Sequence, residues 1–267
     1  MTDKMIAVVL AGGYAKRLWP LTLNKPKALL PLAHKLMIDY VLEKLLSLNP
    51  PLHRIVISTN LRFQPQFQEW LKARDYKGLE LVPDNSLSQE TKPGAVTALS
   101  KIVEKAGEDV LVLAGDNLFT NGLHGFLRFF NERNAPTVAL YHARNKEEAA
   151  KGATVIVDEE RRIVEFVEKT VNPKTTLVGA CVYAFPAGID TKLRKYLRTG
   201  LPTDEPGRFI QWLHKQESVY GYMLQDYLWD IGTIEMYAAA DKSFSHAEAS
   251  KREHGKTALG QKGVVCA

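Results

Sequence analysis

The chain has 267 residues, of which 45% are hydrophobic and 24% are charged, and this composition excludes a disordered or fibrous protein. Its 35 basic and 30 acidic residues give a formal net charge of +5, which favours anionic ligands or serves only solubility. No apolar run approaches the length of a membrane span, and no secretory signal follows Met1.

The first half of the chain alternates strand-like and helix-like segments. Continuous apolar runs, typical of strands buried on both faces, predict strands at Met5–Leu10, Arg54–Ser58, Leu79–Val82 and Val110–Ala114. Helical periodicity predicts helices at Met37–Leu48, Phe63–Arg74, Ala95–Ala106 and Leu123–Arg133. This alternation predicts right-handed βαβ units and an α/β fold with a mostly parallel sheet flanked by helices.

The second half has closely spaced strands with little room for helices between them. The predicted strands are Thr137–His142, Thr154–Val157, Ile163–Val167 and Leu177–Ala184. They indicate antiparallel additions to the sheet, in a smaller appended subdomain. The remaining predicted elements are helices at Ile189–Leu197, Arg208–Lys215 and Ile234–Ala247, with a strand at Val219–Met223.

A glycine-containing loop follows the first strand, at the edge where open α/β sheets bind ligands. Gly12 and Gly13 would let backbone N–H groups approach anionic oxygens, and Lys16 and Arg17 would add charged donors. The sequence contains neither G-x-G-x-x-G nor G-x-x-x-x-G-K-[ST] at this place, which excludes the two common phosphate loops. A tight turn that needs two glycines is the alternative explanation.

The loop continues as a long, basic and proline-stiffened segment. Prolines at positions 20, 26 and 31 stiffen a connection that is longer than an ordinary βα loop. Such a segment would hold Arg17, Lys25 and Lys27 over one site.

The run LAGGYAKRLWPLTLNKPKALLP, residues 10–31, closely resembles the signature of the sugar-1-phosphate nucleotidylyltransferases. That signature reads L-A-G-G-x-G-T-R-L-x-P-L-T and then P-K-x-L-L-P, so this chain departs from it at Ala15 and Lys16. The resemblance is to the short thymidylyl- and uridylyltransferase-like members without a β-helix domain. It implies a Rossmann-like nucleotide-diphospho-sugar transferase fold. It also implies a catalytic Arg17 and Lys27, and nucleotide contacts from Leu10, Ala11, Gly12, Gly13, Lys16 and Arg17.

The resemblance also implies a division of the chain. A single domain would cover residues 1–249, with a nucleotide-binding half at about 1–135 and a sugar-binding half at about 136–232. A C-terminal helix at 233–249 and a polar tail at 250–267 would follow.

Two aspartates follow strand-like or turn-like segments. Asp116 lies in a Gly-Asp-Asn turn after the buried run at Val110–Ala114, and Asp230 lies in Trp-Asp-Ile-Gly-Thr before the last helix. From the residues alone, Asp116 fits a strand-ending turn and Thr233 fits a helix N-cap. The resemblance implies that Asp116 and Asp230 are catalytic ligands of Mg²⁺, a metal that carboxylates hold together with substrate phosphates.

The resemblance implies a sugar-phosphate site in the second half. Glu168 would bind sugar hydroxyls and Lys169 the phosphate, although Thr170 stands where the family has proline. In isolation this Glu-Lys pair fits an ordinary solvated pair of charges. Gly152 and Gly179 match family glycines that line the sugar pocket, and close packing is their alternative explanation.

The base would lie near Gly94, whose family counterpart packs against it in a G-T-A-x-A-L motif. Relatives often carry a glutamine upstream that reads uracil or thymine. Here the stretch reads Val82-Pro83-Asp84-Asn85, with a longer loop to Lys92. The resemblance therefore leaves the base unassigned.

The implied reaction joins a nucleoside triphosphate and a sugar 1-phosphate to give a nucleotide sugar and pyrophosphate, by direct in-line attack on the α-phosphorus. We expect UTP or dTTP with glucose 1-phosphate. The alternatives are a cytidylyl- or guanylyltransferase acting on another sugar or alcohol phosphate, and a catalytically silent subunit that binds nucleotide sugars.

The expected partners are the two substrates, with no nucleic acid and no membrane, and homo-oligomer formation stays open. The two cysteines, Cys181 and Cys266, cannot form a disulfide framework, which favours a reducing compartment. We therefore expect a cytoplasmic transferase of nucleotide-sugar biosynthesis.

Overall fold

A nine-stranded mixed sheet organises the chain. The computed structural model describes residues 5–74, 78–104, 107–120, 122–225 and 227–246. The strands are β1 (Met5–Leu10), β2 (Pro31–Leu32), β3 (Lys35–Leu36), β4 (Arg54–Asn60), β5 (Leu79–Asp84), β6 (Asp109–Ala114), β7 (Asn117–Leu118), β8 (Thr137–His142), β9 (Ala153–Val157), β10 (Ile163–Glu168), β11 (Leu177–Phe185), β12 (Tyr220–Met223) and β13 (Trp229–Asp230). The helices are α1 (Met37–Leu46), α2 (Gln64–Lys72), α3 (Ala95–Ile102), α4 (His124–Arg133), α5 (Lys146–Ala149), α6 (Ile189–Leu197), α7 (Pro206–Leu213) and α8 (234–246).

The first half forms the predicted parallel sheet. Strand β1 lies between β4 and β6 and is parallel to both, and β4 is parallel to β5. Strand β1 is buried on both faces, because Ala7 and Val9 belong to one hydrophobic cluster while Ile6 and Val8 belong to another. The strand is apolar throughout because both faces of the sheet are covered at this place.

The second half extends the same sheet with antiparallel strands, as predicted. Strand β11 is antiparallel to β6, β8 and β9, and β9 is antiparallel to β10. The full order is β10-β9-β11-β6-β1-β4-β5, with β8 also paired to β11 and with β12 parallel to β8. The antiparallel strands therefore join the main sheet, and the proposed division of the chain into two halves stays a prediction.

Several short elements have no clear signal in the sequence. The most consequential is a ribbon in which β13 pairs with β7, with Trp229 opposite Leu118 and Asp230 opposite Asn117. Two residues per strand are too few for an alternating pattern to be visible. The ribbon brings Asp230 beside the turn that carries Asp116.

Helix boundaries follow local chemistry. Helix α1 ends at Leu46 rather than at the predicted Leu48, because two prolines follow shortly after it. The Thr233 N-cap is confirmed, since the backbone N–H of Met236 donates to Thr233 Oγ1 at 3.3 Å.

Some predicted boundaries lie outside the described residues. These are the ends of two predicted helices, at Ala106 and Ala247, and the tail at 250–267. Within the part of the chain that the structure describes, no helix has the length and apolar character needed to cross a bilayer.

Candidate active site

A cleft opens at the carboxyl ends of the parallel strands. It contains a cavity of about 340 Å³ and an adjoining one of about 230 Å³, and both are lined by Leu10, Gly13, Arg17 and Asp116. The cleft brings together nearly all of the predicted site residues. They are Leu10, Ala11, Gly12, Gly13, Arg17, Lys27, Gly94, Asp116, Gly152, Glu168, Lys169, Gly179 and Asp230.

The glycine loop has two differently used glycines. Gly12 packs against β4, where an added Cβ would lie 3.4 Å from the carbonyl carbon of Thr59, and its own carbonyl accepts from Asn60 Nδ2 at 3.0 Å. An added Cβ on Gly13 would meet no described atom within 4 Å. A Cβ on Gly12 would thus make ordinary contact with β4, whereas Gly13 leaves its backbone open to the cavity.

Two basic residues of the loop do not reach the cleft. Lys16 lines neither cavity, and its ammonium lies 2.8 Å from Glu90 Oε1 on the protein surface. Lys25 is exposed and also lines neither cavity. The structure thus gives no support to the predicted position of Lys25 over the site, and contact between Lys16 and nucleotide stays a prediction.

Lys27 joins the loop to the predicted metal-binding turn. Its ammonium pairs with Asp116 Oδ2, and both side chains are largely buried. The turn is held close, because the N–H of Gly115 donates to the carbonyl of Leu10 at 2.9 Å. A Cβ on Gly115 would lie 3.4 Å from the Cβ of Ala28, so the two loops are in contact.

Asp230 is exposed and lines the larger cavity. Loss of hydration inside the protein raises the pKa of Asp230, and the negative charge of Asp116 raises it further. Lys27 and Arg17 oppose this shift. The Arg17 guanidinium also lies against Gly232, with Nη2 3.5 Å from the position of an added Cβ. Two carboxylates and two cations therefore share the centre of the cleft.

The carboxylate oxygens at this centre are suitable ligands for a magnesium ion. Among the described residues there is no group of three or more histidine, cysteine, aspartate or glutamate side chains with the arrangement of a complete metal site. Asp116 and Asp230 supply two carboxylates, which is the usual protein share for Mg²⁺ when substrate phosphates supply further ligands.

The opposite wall places Glu168 in a narrow, buried position. The side chain is 8% exposed, and its Oε2 would lie 1.7 Å from a Cβ added to Gly207 of α7. The N–H of Glu168 donates to Gln211 Oε1 at 2.9 Å. Burial raises the pKa of Glu168 to about 7, and the charge of Lys169 opposes the rise. A side chain at position 207 would displace this carboxyl group from its present position.

Lys169 is held toward the cleft by its backbone and its side chain. Its φ of 52° is in the left-handed region, and its N–H donates to the carbonyl of Gly152 at 3.0 Å. Its ammonium donates to Glu205 Oε1 at 2.5 Å. The predicted lysine therefore lines the cleft in an ion pair with a residue that the sequence did not single out.

The three remaining glycines line the cavity and are also closely packed. A Cβ on Gly152 would lie 2.8 Å from Val178 Cγ1, and a Cβ on Gly179 would lie 2.9 Å from Phe166 Cε2. Gly94 has a φ of 89°, and its added Cβ would lie 2.4 Å from Thr203 Oγ1. Packing alone accounts for these glycines, whether or not they also contact a ligand.

The cleft contains further polar residues that sequence reasoning did not place there. They are Ser58, Asn117, Tyr141, Lys151, Tyr183, Asp204 and Glu205, while Asp84 and Lys92 come from the stretch that the sequence placed near the base. A signal existed for Asp84, which ends strand β5, because ligands of α/β sheets lie at strand carboxyl ends. Asp204 and Glu205 reach the cleft through contacts distant in sequence, such as the 3.1 Å pair between Lys92 and Asp204.

Comparison with known proteins bears on the family and the fold of the chain. The model of the family described as "Nucleotidyl transferase" matches residues 6–246. The chain is 28% identical over 228 residues to the bifunctional protein GlmU of Methanocaldococcus jannaschii, covering 85% of this chain and 51% of that protein. It is 27% identical over 271 residues to a glucose-1-phosphate adenylyltransferase of Rhodopirellula baltica, covering 90% and 60%. The chain thus spans only about half to three fifths of these two relatives.

Two further comparisons concern proteins of similar length. The chain is 27% identical over 185 residues to the UTP–glucose-1-phosphate uridylyltransferase AglF of Haloferax volcanii, covering 69% of this chain and 73% of that protein. A crystal structure described as a glucose-1-phosphate thymidylyltransferase of Bacillus anthracis, in complex with a sucrose, matches with a TM-score of 0.76. That match has 21% identity and covers 90% of this chain and 95% of the other, and it confirms the predicted fold.

Proposed function

The chain belongs to the nucleotidyl transferase family, and we propose that it joins a nucleoside triphosphate to a sugar 1-phosphate, releasing pyrophosphate. The observation that carries this proposal is a single cleft in which cations surround a pair of carboxylates. Arg17 and Lys27 lie on its nucleotide side, and Lys169 lies on the opposite wall. Such a cleft can hold two phosphorylated substrates together, and proximity of this kind is a major part of catalysis.

The triphosphate would bind at the glycine loop. The open backbone of Gly13 and the guanidinium of Arg17 are suited to the β- and γ-phosphates, because both present hydrogen-bond donors to anionic oxygens. Arg17 lines both cavities, which supports a role for it where the nucleotide would meet the rest of the cleft.

The chemical step needs no nucleophile from the protein. A phosphate oxygen of the sugar 1-phosphate attacks the α-phosphorus, the bond between the α-phosphorus and the bridging oxygen breaks, and the electron pair leaves with pyrophosphate. Lys27 would stabilise the charge that develops around the α-phosphate. Cys181, which lines the cleft, is unsuited to nucleophilic attack because burial raises the pKa of its thiol.

Mg²⁺ would be held by Asp116 and Asp230. When bound, the metal supplies positive charge to the phosphate oxygens that approach the α-phosphorus. Lys27 already pairs with Asp116, so in our proposal this lysine also keeps that carboxylate oriented toward the centre of the cleft.

The sugar phosphate would bind on the opposite wall. Lys169 would bind the phosphate, while Glu168 would hydrogen-bond to sugar hydroxyls. The relatives whose names state a sugar act on glucose 1-phosphate, so we propose glucose 1-phosphate as the first sugar to test.

Pyrophosphate release tests the proposal. The protein is incubated with Mg²⁺, each nucleoside triphosphate and a panel of sugar 1-phosphates, and the nucleotide sugar is identified by mass spectrometry. We expect pyrophosphate release that requires both substrates. Nucleotide binding without any pyrophosphate release would instead support a catalytically silent binding subunit and contradict the proposed function.

A further inference from the structure

A cluster of rings and charges lies beside the segment that carries Asp230. Tyr227 and Trp229 precede Asp230 in the chain, and their rings meet edge to face with centroids 5.1 Å apart. The Arg144 guanidinium carbon lies 4.4 Å from the ring centroid of Tyr227 and 5.1 Å from that of Trp229. A guanidinium at such distances is attracted by both rings. Arg144 therefore bridges the two aromatic residues that precede Asp230.

Glu148 ties the same cluster to the start of α5. Its Oε2 accepts from the backbone N–H of Arg144 at 2.9 Å, and its Oε1 accepts from the hydroxyl of Tyr227. Glu148 is fixed in turn, because its own N–H donates to Asn145 Oδ1 at 2.8 Å. The segment that contains Tyr227 is thus held to residues 144–148 by one guanidinium and one carboxylate.

The backbone pairing at Asp230 is short, so contacts of the neighbouring side chains matter for its position. The ribbon of β7 and β13 pairs only two residues of each strand. Asp230 also lies near the negative charge of Asp116, and like charges at short range repel each other. Successive side chains of a strand point to opposite faces. A contact that holds Trp229 on one face therefore helps to set the position of the Asp230 carboxylate on the other.

We propose that Arg144 is a positioning residue for Asp230, on which it acts through Tyr227 and Trp229 without touching a substrate. The inference rests on the proposed function, in which Asp230 and Asp116 hold Mg²⁺ beside the reacting phosphates. Arg144 and the two aromatic residues line neither cavity, so loss of the guanidinium removes no group from the cleft. It should instead free the segment before Asp230 and reduce the time that this carboxylate spends in its productive position.

Arg144→Met is the diagnostic variant, because methionine keeps much of the side-chain length and carries no charge. Arg133→Met is the matched control. Arg133 is also exposed, and its guanidinium carbon lies 4.9 Å from the ring centroid of Tyr220 and 5.3 Å from that of Phe129. It also donates to the carbonyl of Glu160 at 3.1 Å. None of these residues lines either cavity, so the control loses the same kind of contact away from the cleft.

Steady-state kinetics and urea unfolding form the first part of the test. We expect Arg144→Met to lower kcat by about tenfold and to leave KM for both substrates within about twofold, because the contact acts on the reacting centre. Arg144→Lys keeps a cation over the rings and should recover most of this loss. Arg133→Met should leave kcat within about twofold, while its free energy of unfolding falls by as much as that of Arg144→Met or more.

Mn²⁺ binding to the protein alone forms the second part, because it reports on the carboxylates without any turnover. Free Mn²⁺ is measured by electron paramagnetic resonance, and Asp230→Asn identifies the binding that belongs to this site. We expect Arg144→Met to weaken that binding by about five- to tenfold and Arg133→Met to leave it within about twofold.

Equal losses of kcat in Arg144→Met and Arg133→Met would overturn the inference and leave nucleotidyl transfer in place. Unchanged Mn²⁺ affinity in Arg144→Met, a wild type that binds no Mn²⁺, or a loss of folding in Arg144→Met would also overturn it. A wild type that turns over no pair of substrates would contradict the proposed function instead. The Mn²⁺ comparison would then still decide whether Arg144 positions Asp230.

Discussion

The two walls of the cleft are built in opposite ways. The wall to which we assign the nucleotide, called the nucleotide wall, consists of parallel strands and one loop, and it presents an open glycine backbone and cations close together in sequence. The wall to which we assign the sugar phosphate, called the sugar wall, consists of antiparallel strands and α7, and its Glu168 and Lys169 are buried or paired. Glu168 packs against Gly207, and Lys169 pairs with Glu205. On the nucleotide wall the backbone of Gly13 is open, although Lys27 pairs with Asp116, whereas on the sugar wall a ligand must share or replace the contact between Lys169 and Glu205.

The difference teaches where binding selectivity arises. In our proposal the open backbone of Gly13 contacts the phosphates of the nucleotide, and phosphates carry no information about the base or the sugar. Side chains that second contacts hold in place, such as Lys169 by Glu205, are better suited to select a ligand than an open backbone is.

The largest expected loss of kcat comes from substitutions at the centre of the cleft, between the two walls. Lys27→Ala or Asp230→Ala should each lower kcat by about a hundred- to ten-thousandfold, because each removes charge stabilisation at the reacting phosphates. Steady-state pyrophosphate release measures this loss. Lys25→Ala is the control from the same loop, since Lys25 is exposed outside both cavities. Near-normal turnover of either cleft variant would show that the chemistry occurs elsewhere.

A substitution on the sugar wall should affect the sugar 1-phosphate and not the nucleotide. Lys169→Ala should raise KM for the sugar 1-phosphate by about ten- to a hundredfold through loss of a charge-assisted contact, and leave nucleotide affinity within about twofold. Steady-state kinetics with each substrate varied and calorimetry with nucleotide alone measure the two effects. Lys174→Ala is the matched control, because Lys174 is exposed and pairs with Glu165. Equal losses for both substrates would contradict the separation.

The sugar wall should also show a pH-dependent stability. Because the pKa of Glu168 is raised from 4.5 to about 7, the folded protein keeps a proton there that the unfolded chain releases. The free energy of unfolding should therefore fall by about 2–3 kcal/mol between pH 4.5 and 7, relative to Glu168→Gln. Urea unfolding at several pH values measures it, with Glu165→Gln as a control on the same strand. A difference between wild type and Glu168→Gln that is constant with pH would refute the shift.

The smallest expected effects compare two glycines of the nucleotide wall. Gly94→Ala should lower stability by about 1–3 kcal/mol, because its φ of 89° is unfavourable for alanine and Thr203 fills the space. Gly13→Ala should change stability by less than about 0.5 kcal/mol but weaken nucleotide binding, because the new methyl group enters the cleft. Thermal unfolding and calorimetry separate the two. Similar destabilisation by both substitutions would contradict the distinction between a packed and an open glycine.

The sequence was most informative where the site is contiguous. The run from Leu10 to Pro31 contains the loop, Arg17 and Lys27, and the buried run of β1 predicts the sheet that presents them. The position of Asp230 beside the Asp116 turn depends on a two-residue ribbon, β7 with β13, that leaves no readable pattern.

The sugar wall was less predictable, because its partners are distant along the chain. Glu205 reaches Lys169 across 36 positions, and Gly207 gives room to Glu168 only through the packing of α7 on β10. Nor could the sequence show that Lys16 pairs with Glu90 outside the cleft, since that depends on the positions of two loops.

The central claim is that both substrates occupy this cleft together and react directly. Exchange of labelled pyrophosphate into the nucleoside triphosphate tests it, with and without sugar 1-phosphate, in the presence of Mg²⁺. Direct transfer predicts exchange only when the sugar phosphate is present, because no nucleotidyl group is ever attached to the protein. Exchange of label without any sugar phosphate would reveal a covalent nucleotidyl-protein intermediate and contradict the account.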